Sequence, residues 1–315
     1  MTSKKVRIII LTAIFALCGA VETGYVAYNL LQDKRARDIR DELQKMRETP
    51  EQSRFAWEAD QTPDGAEHGE PGNAAEGAET GRIGDQADAA LPDGSHGSET
   101  LPQPEILPEY RELYEVNQDM IGWLTIDGTR IDYPVMQTME DECHYLRLDF
   151  YGEENRNGCL IMDTDSVVGT GTAADGYAGG TAPSTNLIIH GHTMKSGEMF
   201  GTLKLYADET YGKEHDIIHF DSLYEEREYE VMAVFYSQIF YTHETVFKYY
   251  NFFQADTQEE FDDWYNNIRE MSLYDTGVTA VFGDEFITLS CCSYHVEDGR
   301  FVVVGKRTDS PQYQE

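Results

Sequence analysis

Residues 286–304 leave the chain little choice of fold. Their first seven positions alternate with a period of two: Ile287, Leu289 and Cys291 fall on one side, and Phe286, Thr288, Ser290 and Cys292 on the other. A strand satisfies that pattern and a helix does not. The first set is wholly apolar and is expected to face a core. The second turns polar towards its end, so Cys292 is expected to face solvent or a groove. Asp298 and Gly299 make a turn signal, and residues 301–304 are dense in valine, so a second strand should return beside the first. That hairpin carries Arg300 back to Cys292. A guanidinium beside a thiol favours the thiolate and can hold a developing oxyanion, which makes the pair a candidate active site.

A nucleophilic cysteine also needs a proton partner. The best placed histidine is His192, at the exit of an apolar run (Leu187, Ile188, Ile189) that ends in His190 and Gly191. A strand end of this kind fixes position while the following loop gives access.

These segments together resemble the class B sortases, cysteine transpeptidases of Gram-positive cell surfaces. Thr288, Leu289, Ser290, Cys291 and Cys292 look like the family's Thr-Leu-x-Thr-Cys strand. Gly191, His192, Thr193 and Met194, followed by Met199, Phe200, Gly201, Thr202 and Leu203, look like its histidine segment. Arg300 ahead of residues 301–304 looks like its arginine strand, and residues 121–135 and 145–152 are similar to its opening strands. The resemblance spans residues 108–308. The departure is Cys291, where the family usually has threonine. Strand phase and family register both select Cys292, and a Cys291–Cys292 disulfide stays open as an inactive form.

The resemblance implies a mostly β fold: a closed eight-stranded sortase-type barrel with an N-terminal helix and one or two additional helices. It implies a transpeptidase that cleaves a C-terminal sorting signal of secreted proteins at Thr–Gly or a similar bond. The acyl group would pass through a thioester to an amine of a peptidoglycan precursor or a pilin lysine. Cys292 would be the nucleophile, His192 the general acid and base, and Arg300 the support of the oxyanion and substrate. Thr288, Ser290 and His190 are expected along the substrate groove. No cofactor or metal is expected. His190 and His192 form a His-x-His pair that could bind zinc, but no third ligand lies at a usual spacing. Two rivals remain: a peptidase that uses the same residues but resolves the acyl-enzyme with water, and a non-enzymatic surface module that uses the barrel only to bind protein or glycan.

The rest of the chain reads as delivery. Lys4, Lys5 and Arg7 precede an apolar run over residues 8–21, which is short against the roughly 20 residues of a comfortable membrane span. A cleaved secretion signal is the rival reading. Small residues are poorly placed for cleavage, and Tyr25 and Tyr28 suit an interfacial belt, so a signal anchor over residues 1–31 is favoured, with the N-terminus cytoplasmic and the remainder outside. Residues 32–50 should form a charged, solvated helix, because their apolar stripe is thin. Residues 51–104 hold only Arg54 and Arg82 as strong bases among Gly, Ala, Pro, Ser and acids. Such a composition cannot bury enough surface to offset ordering entropy, so a disordered acidic tether that lets the domain reach out is expected. The catalytic domain is then residues 105–315. A net charge of −34 disfavours nucleic acid. The five cysteines, an odd number without regular spacing, make no disulfide framework.

Within the domain, a helix is expected from residue 108 and a hairpin at Asp127 and Gly128. A clear helix should start at an Asp256 cap paired with Glu259, with Phe261, Trp264, Tyr265, Ile268 and Met271 on its buried face. The strands should form a mostly antiparallel sheet.

Overall fold

The computed structural model describes residues 3–48, 104–170 and 180–308, with side chains of the first helix described from residue 21 onward. Helix α1 (Ser3–Glu48) is followed by α2 (Pro108–Val116), β1 (Met120–Thr125), β2 (Asp132–Met136), β3 (Leu160–Met162) and β4 (Asn186–Gly191). Then come the short α3 (Glu209–Glu214), β5 (Ile217–Ser222), β6 (Glu228–Gln238), α4 (Gln258–Met271), β7 (Phe286–Cys292) and β8 (Gly299–Arg307). The eight strands run β1-β2-β3-β4-β7-β8-β6-β5, and β1 also pairs with β5, which joins the two ends of the sheet. The mostly β architecture with few helices is as expected.

Two neighbouring pairs, β2 with β3 and β4 with β7, are parallel; the other pairs are antiparallel. A parallel pair needs a long crossover. Between β4 and β7 that crossover carries β5, β6 and α4, and it leaves both strands ending at the same rim.

One core fills the inside of the sheet, with Leu124, Val135, Leu187, Ile189, Ile287 and Val303 among its members. A second lies outside β7 and β8, where Phe261, Trp264 and Ile268 of α4 meet Phe286, Val302 and Val304. The outer face of β7 is therefore covered for most of its length. Phe286, Thr288 and Ser290 are buried, and Cys292 alone emerges. The cover is specific: the Trp264 ring sits 4.7 Å from that of Phe286, and Tyr249 shares a 2.7 Å hydrogen bond with Ser290.

Helix α4 starts one residue later than its sequence signal. Thr257, not Asp256, is the cap; its hydroxyl accepts from the Glu260 N–H, and the Glu260 carboxylate accepts from the Thr257 N–H. The capping box is intact, shifted by one position.

Helix α1 departs further from expectation. Its second half is docked rather than solvated, with Leu43 buried and Ile39 and Met46 packed beside Tyr110 and Trp123. The thin apolar stripe is widened by arginine stems. The Arg47 guanidinium lies 4.7 Å from the Trp123 ring and pairs with Asp132 at 3.2 Å. Among the described residues no helix is long and apolar enough to cross a membrane; side chains 1–20, which hold most of the expected anchor, lie outside them. The expected tether falls outside the described residues as well. Its flanks meet, since Arg47, Glu48, Glu109 and Tyr110 line one surface cleft.

Candidate active site

Three chain ends converge at one rim of the sheet. Along the parallel β4–β7 pair His190 lies opposite Ser290 and Gly191 opposite Cys291; along the antiparallel β7–β8 pair Cys292 lies opposite Arg300. His192 is the next residue beyond Gly191. Gly191 has no room for a side chain, because a Cβ there would stand 2.5 Å from the Phe200 ring and 2.6 Å from Leu160. An open cavity of about 430 Å³ lies over this rim, lined by His190, His192, Ser290, Cys292 and Arg300 among others.

Cys291 and Cys292 are both free thiols, so the vicinal disulfide is not formed here. Cys291 is buried, and burial pushes its thiol up to about 11, which keeps it protonated at neutral pH. Cys292 is exposed at the end of β7. Thr193 ties the histidine loop to it by donating a 2.6 Å hydrogen bond to the Cys292 carbonyl.

The His192 Nε2 lies 2.8 Å from the Leu146 carbonyl oxygen. A carbonyl can only accept, so Nε2 carries the hydrogen, and in the neutral ring Nδ1 holds the lone pair for proton transfer. Arg300 Nη1 donates to the carbonyls of Asp298 (3.2 Å) and Gly299 (3.1 Å), which anchors the guanidinium on its own turn. That turn needs Asp298 at a φ of 52°, a conformation asparagine and aspartate tolerate better than most residues.

The expected groove residues separate. His190 is half-buried in the cavity wall, its Nε2 3.2 Å from Asp163 Oδ2. Ser290 contributes to the wall but is committed to Tyr249. Thr288 does not reach the groove: it is buried, and its hydroxyl donates to Asn186 Oδ1 at 2.8 Å.

Sequence reasoning missed Leu146, Thr193 and an acidic neighbour of His190. Thr193 and Leu146 fall within segments already noted, the histidine segment and residues 145–152, but without a role. Glu142, Asp163 and His190 place their ligand atoms within 4.8 Å of one another, an arrangement that could hold a cation. Burial works against an ionised Asp163, but His190 and the Asp165 N–H outweigh it and hold the carboxyl low. Glu142 is pushed up by burial and by the nearby Asp163 charge. No spacing in the sequence links positions so far apart.

An exposed thiol, an imidazole with a free Nδ1 and an anchored guanidinium on one open rim are equipment for acyl transfer. No family model matches the chain. Sortase B of Listeria monocytogenes is 33% identical over 205 residues, which cover 64% of this chain and 75% of that protein. A Staphylococcus aureus sortase B–substrate complex is similar at 25% identity and a TM-score of 0.54, covering 65% of this chain and 86% of that one. A crystal structure of sortase B complexed with triglycine matches at 25% identity and a TM-score of 0.54, over 65% of this chain and 88% of that one.

Proposed function

The chain belongs to the sortase B family, and from that premise we propose that it cleaves a C-terminal sorting signal of secreted proteins at Thr–Gly or a similar bond and joins the acyl group to an amine of a cell-wall precursor. His192 takes the Cys292 thiol proton on Nδ1, and the thiolate so formed adds to the carbonyl of the scissile peptide. Arg300 donates to the oxyanion so formed. The tetrahedral adduct collapses as His192 gives its Nδ1 proton to the leaving amine, and a thioester remains on Cys292. An incoming primary amine then attacks the thioester, loses a proton to His192, and leaves with the acyl group as an amide while the thiolate returns. The observation that carries this reading is the strand register, which sets Cys292 against Arg300 and brings His192 to the same rim, while the neighbouring thiol of Cys291 is buried. Complexes of relatives with a substrate and with triglycine support a peptide and an amine as the two reactants.

Residues 1–31 serve as a single-pass anchor in this reading, with the catalytic domain outside the cell. The exposed Val21, Tyr25, Val26, Leu30 and Leu31 on α1 support it. The test is mass spectrometry of the chain incubated with a library of sorting-type peptides, with and without an amine. An acyl adduct on Cys292 that is lost in Cys292→Ala, and ligated product when amine is added, is the expected result. Hydrolysed product alone at every amine concentration would make the protein a peptidase. No adduct from folded, reduced protein would leave the binding module.

A further inference from the structure

His192 is held by two loops, and helix α1 grips both. The first is the histidine's own loop. Phe200 N–H donates to the His192 carbonyl at 3.0 Å, and Thr193 bridges to Met199, so the loop closes tightly on itself. Met199 adopts a φ of 52°, a left-handed conformation that a methionine holds only when its surroundings fix it. The fixing groups are visible. Tyr133 Oη accepts from the Met199 N–H (3.2 Å) and donates to Glu198 Oε2 (2.8 Å), and Arg40 of α1 reaches the same oxygen at 2.9 Å. Glu198 is 1% exposed; its other oxygen has Arg130 at 3.5 Å. A carboxylate so buried needs a close cation, and α1 supplies it from far away in sequence.

The second loop, residues 144–158, contributes the Leu146 carbonyl that takes the His192 N–H. Its buried Asp149 accepts from the Tyr151 and Glu153 N–H groups and pairs with Arg35 of α1 at 2.9 Å. Arg156 of the same loop bonds Asn29 of α1.

We infer that α1 is a positioning element for His192, acting through Arg40 on Glu198 and through Arg35 on the loop that presents Leu146. Arg40 and Arg35 touch neither thiol nor substrate; they set which imidazole nitrogen faces the cavity. The inference rests on His192 being the acid and base of the proposed reaction, and one of its two readouts does not. Small misplacements of a catalytic group lower turnover strongly. Arg40→Ala in the full-length protein should therefore lower kcat about tenfold or more, counted per alkylatable Cys292, with KM within about twofold, and Arg40→Lys should recover part of it. Nitrogen-15 spectra of histidine-labelled protein should show the Nε2–H tautomer of His192 in the parent and a mixture in Arg40→Ala. If Arg40→Ala does not fold, Glu198→Gln, which keeps shape and removes the charge, gives the same two readouts. Unchanged kcat per active thiol with an unchanged tautomer would overturn the inference, even if the melting temperature fell, because the contact would then be structural only. A parent that forms no thioester would sink the acyl-transfer reading instead, and the tautomer comparison would still decide this one.

Discussion

Adjacent residues on β7 sit in different solvents. Cys291 points into the core and Cys292 leaves it, and one step of strand phase is the whole difference. With its thiol near 11, Cys291 is about one part in a thousand thiolate at pH 8, and its burial blocks reagents as well. Iodoacetamide at pH 8 should therefore label Cys292 to completion before Cys291, and Cys291 labelling should grow as pH rises towards 11. Peptide mapping checks this; equal rates would mean that the rim opens. This much was legible, because alternation assigns faces. Thr288, expected along the groove, is buried away from it because the same rule gives two faces without saying whether the outer one is covered. The cover arrives from Tyr249 and α4, which no local pattern ties to β7. Tyr249→Phe tests that cover, since it leaves the buried Ser290 hydroxyl without its partner. A loss of about 1–2 kcal/mol in denaturant unfolding is expected, and a neutral result would mean that Ser290 finds another partner.

Elements were legible where they carry their own signals. The α4 stripe and a capping box were readable, yet aspartate and threonine are both good caps, and only the backbone turn chose Thr257. Thr257→Ala should cost about 1 kcal/mol and Asp256→Ala under about 0.5 kcal/mol, measured by chemical unfolding. The reverse order would restore the cap to Asp256. The docking of α1 was not legible, because half of its attachment is ionic. The acids that receive its arginines, Asp132, Asp149 and Glu198, are scattered over the chain and look like ordinary surface charge. Only Ile39, Leu43 and Met46 mark the apolar seam. Leu43→Ala removes its buried centre and should lower stability by about 2–4 kcal/mol. A change below about 0.5 kcal/mol would show that α1 is not held on the sheet in solution.

At the scale of the molecule, the parallel β4–β7 pair turns a distant histidine and cysteine into neighbours, and family resemblance reached that result where periodicity could not. Resemblance did not show how the N-terminal part attaches. Because Glu48 at the end of α1 and Glu109 at the start of α2 line one cleft, the two ends of the connection between these helices lie close together. A connection whose two ends are held together closes a loop between them and carries its closure entropy. Helix α1 adds no spacer, because directly after the proposed anchor its residues Arg35, Arg40 and Arg47 are paired to the domain. Deleting residues 51–90 shortens the loop between Glu48 and Pro108 about threefold, which lowers its closure entropy by about 1 kcal/mol. The expected outcome is a melting temperature raised by about 2–4 °C with peptide turnover within twofold of the parent. A fall in melting temperature would mean that the deleted residues make contacts the domain depends on. Turnover lost only on membrane-tethered substrate, with free peptides processed normally, would give the deleted segment the spacer role.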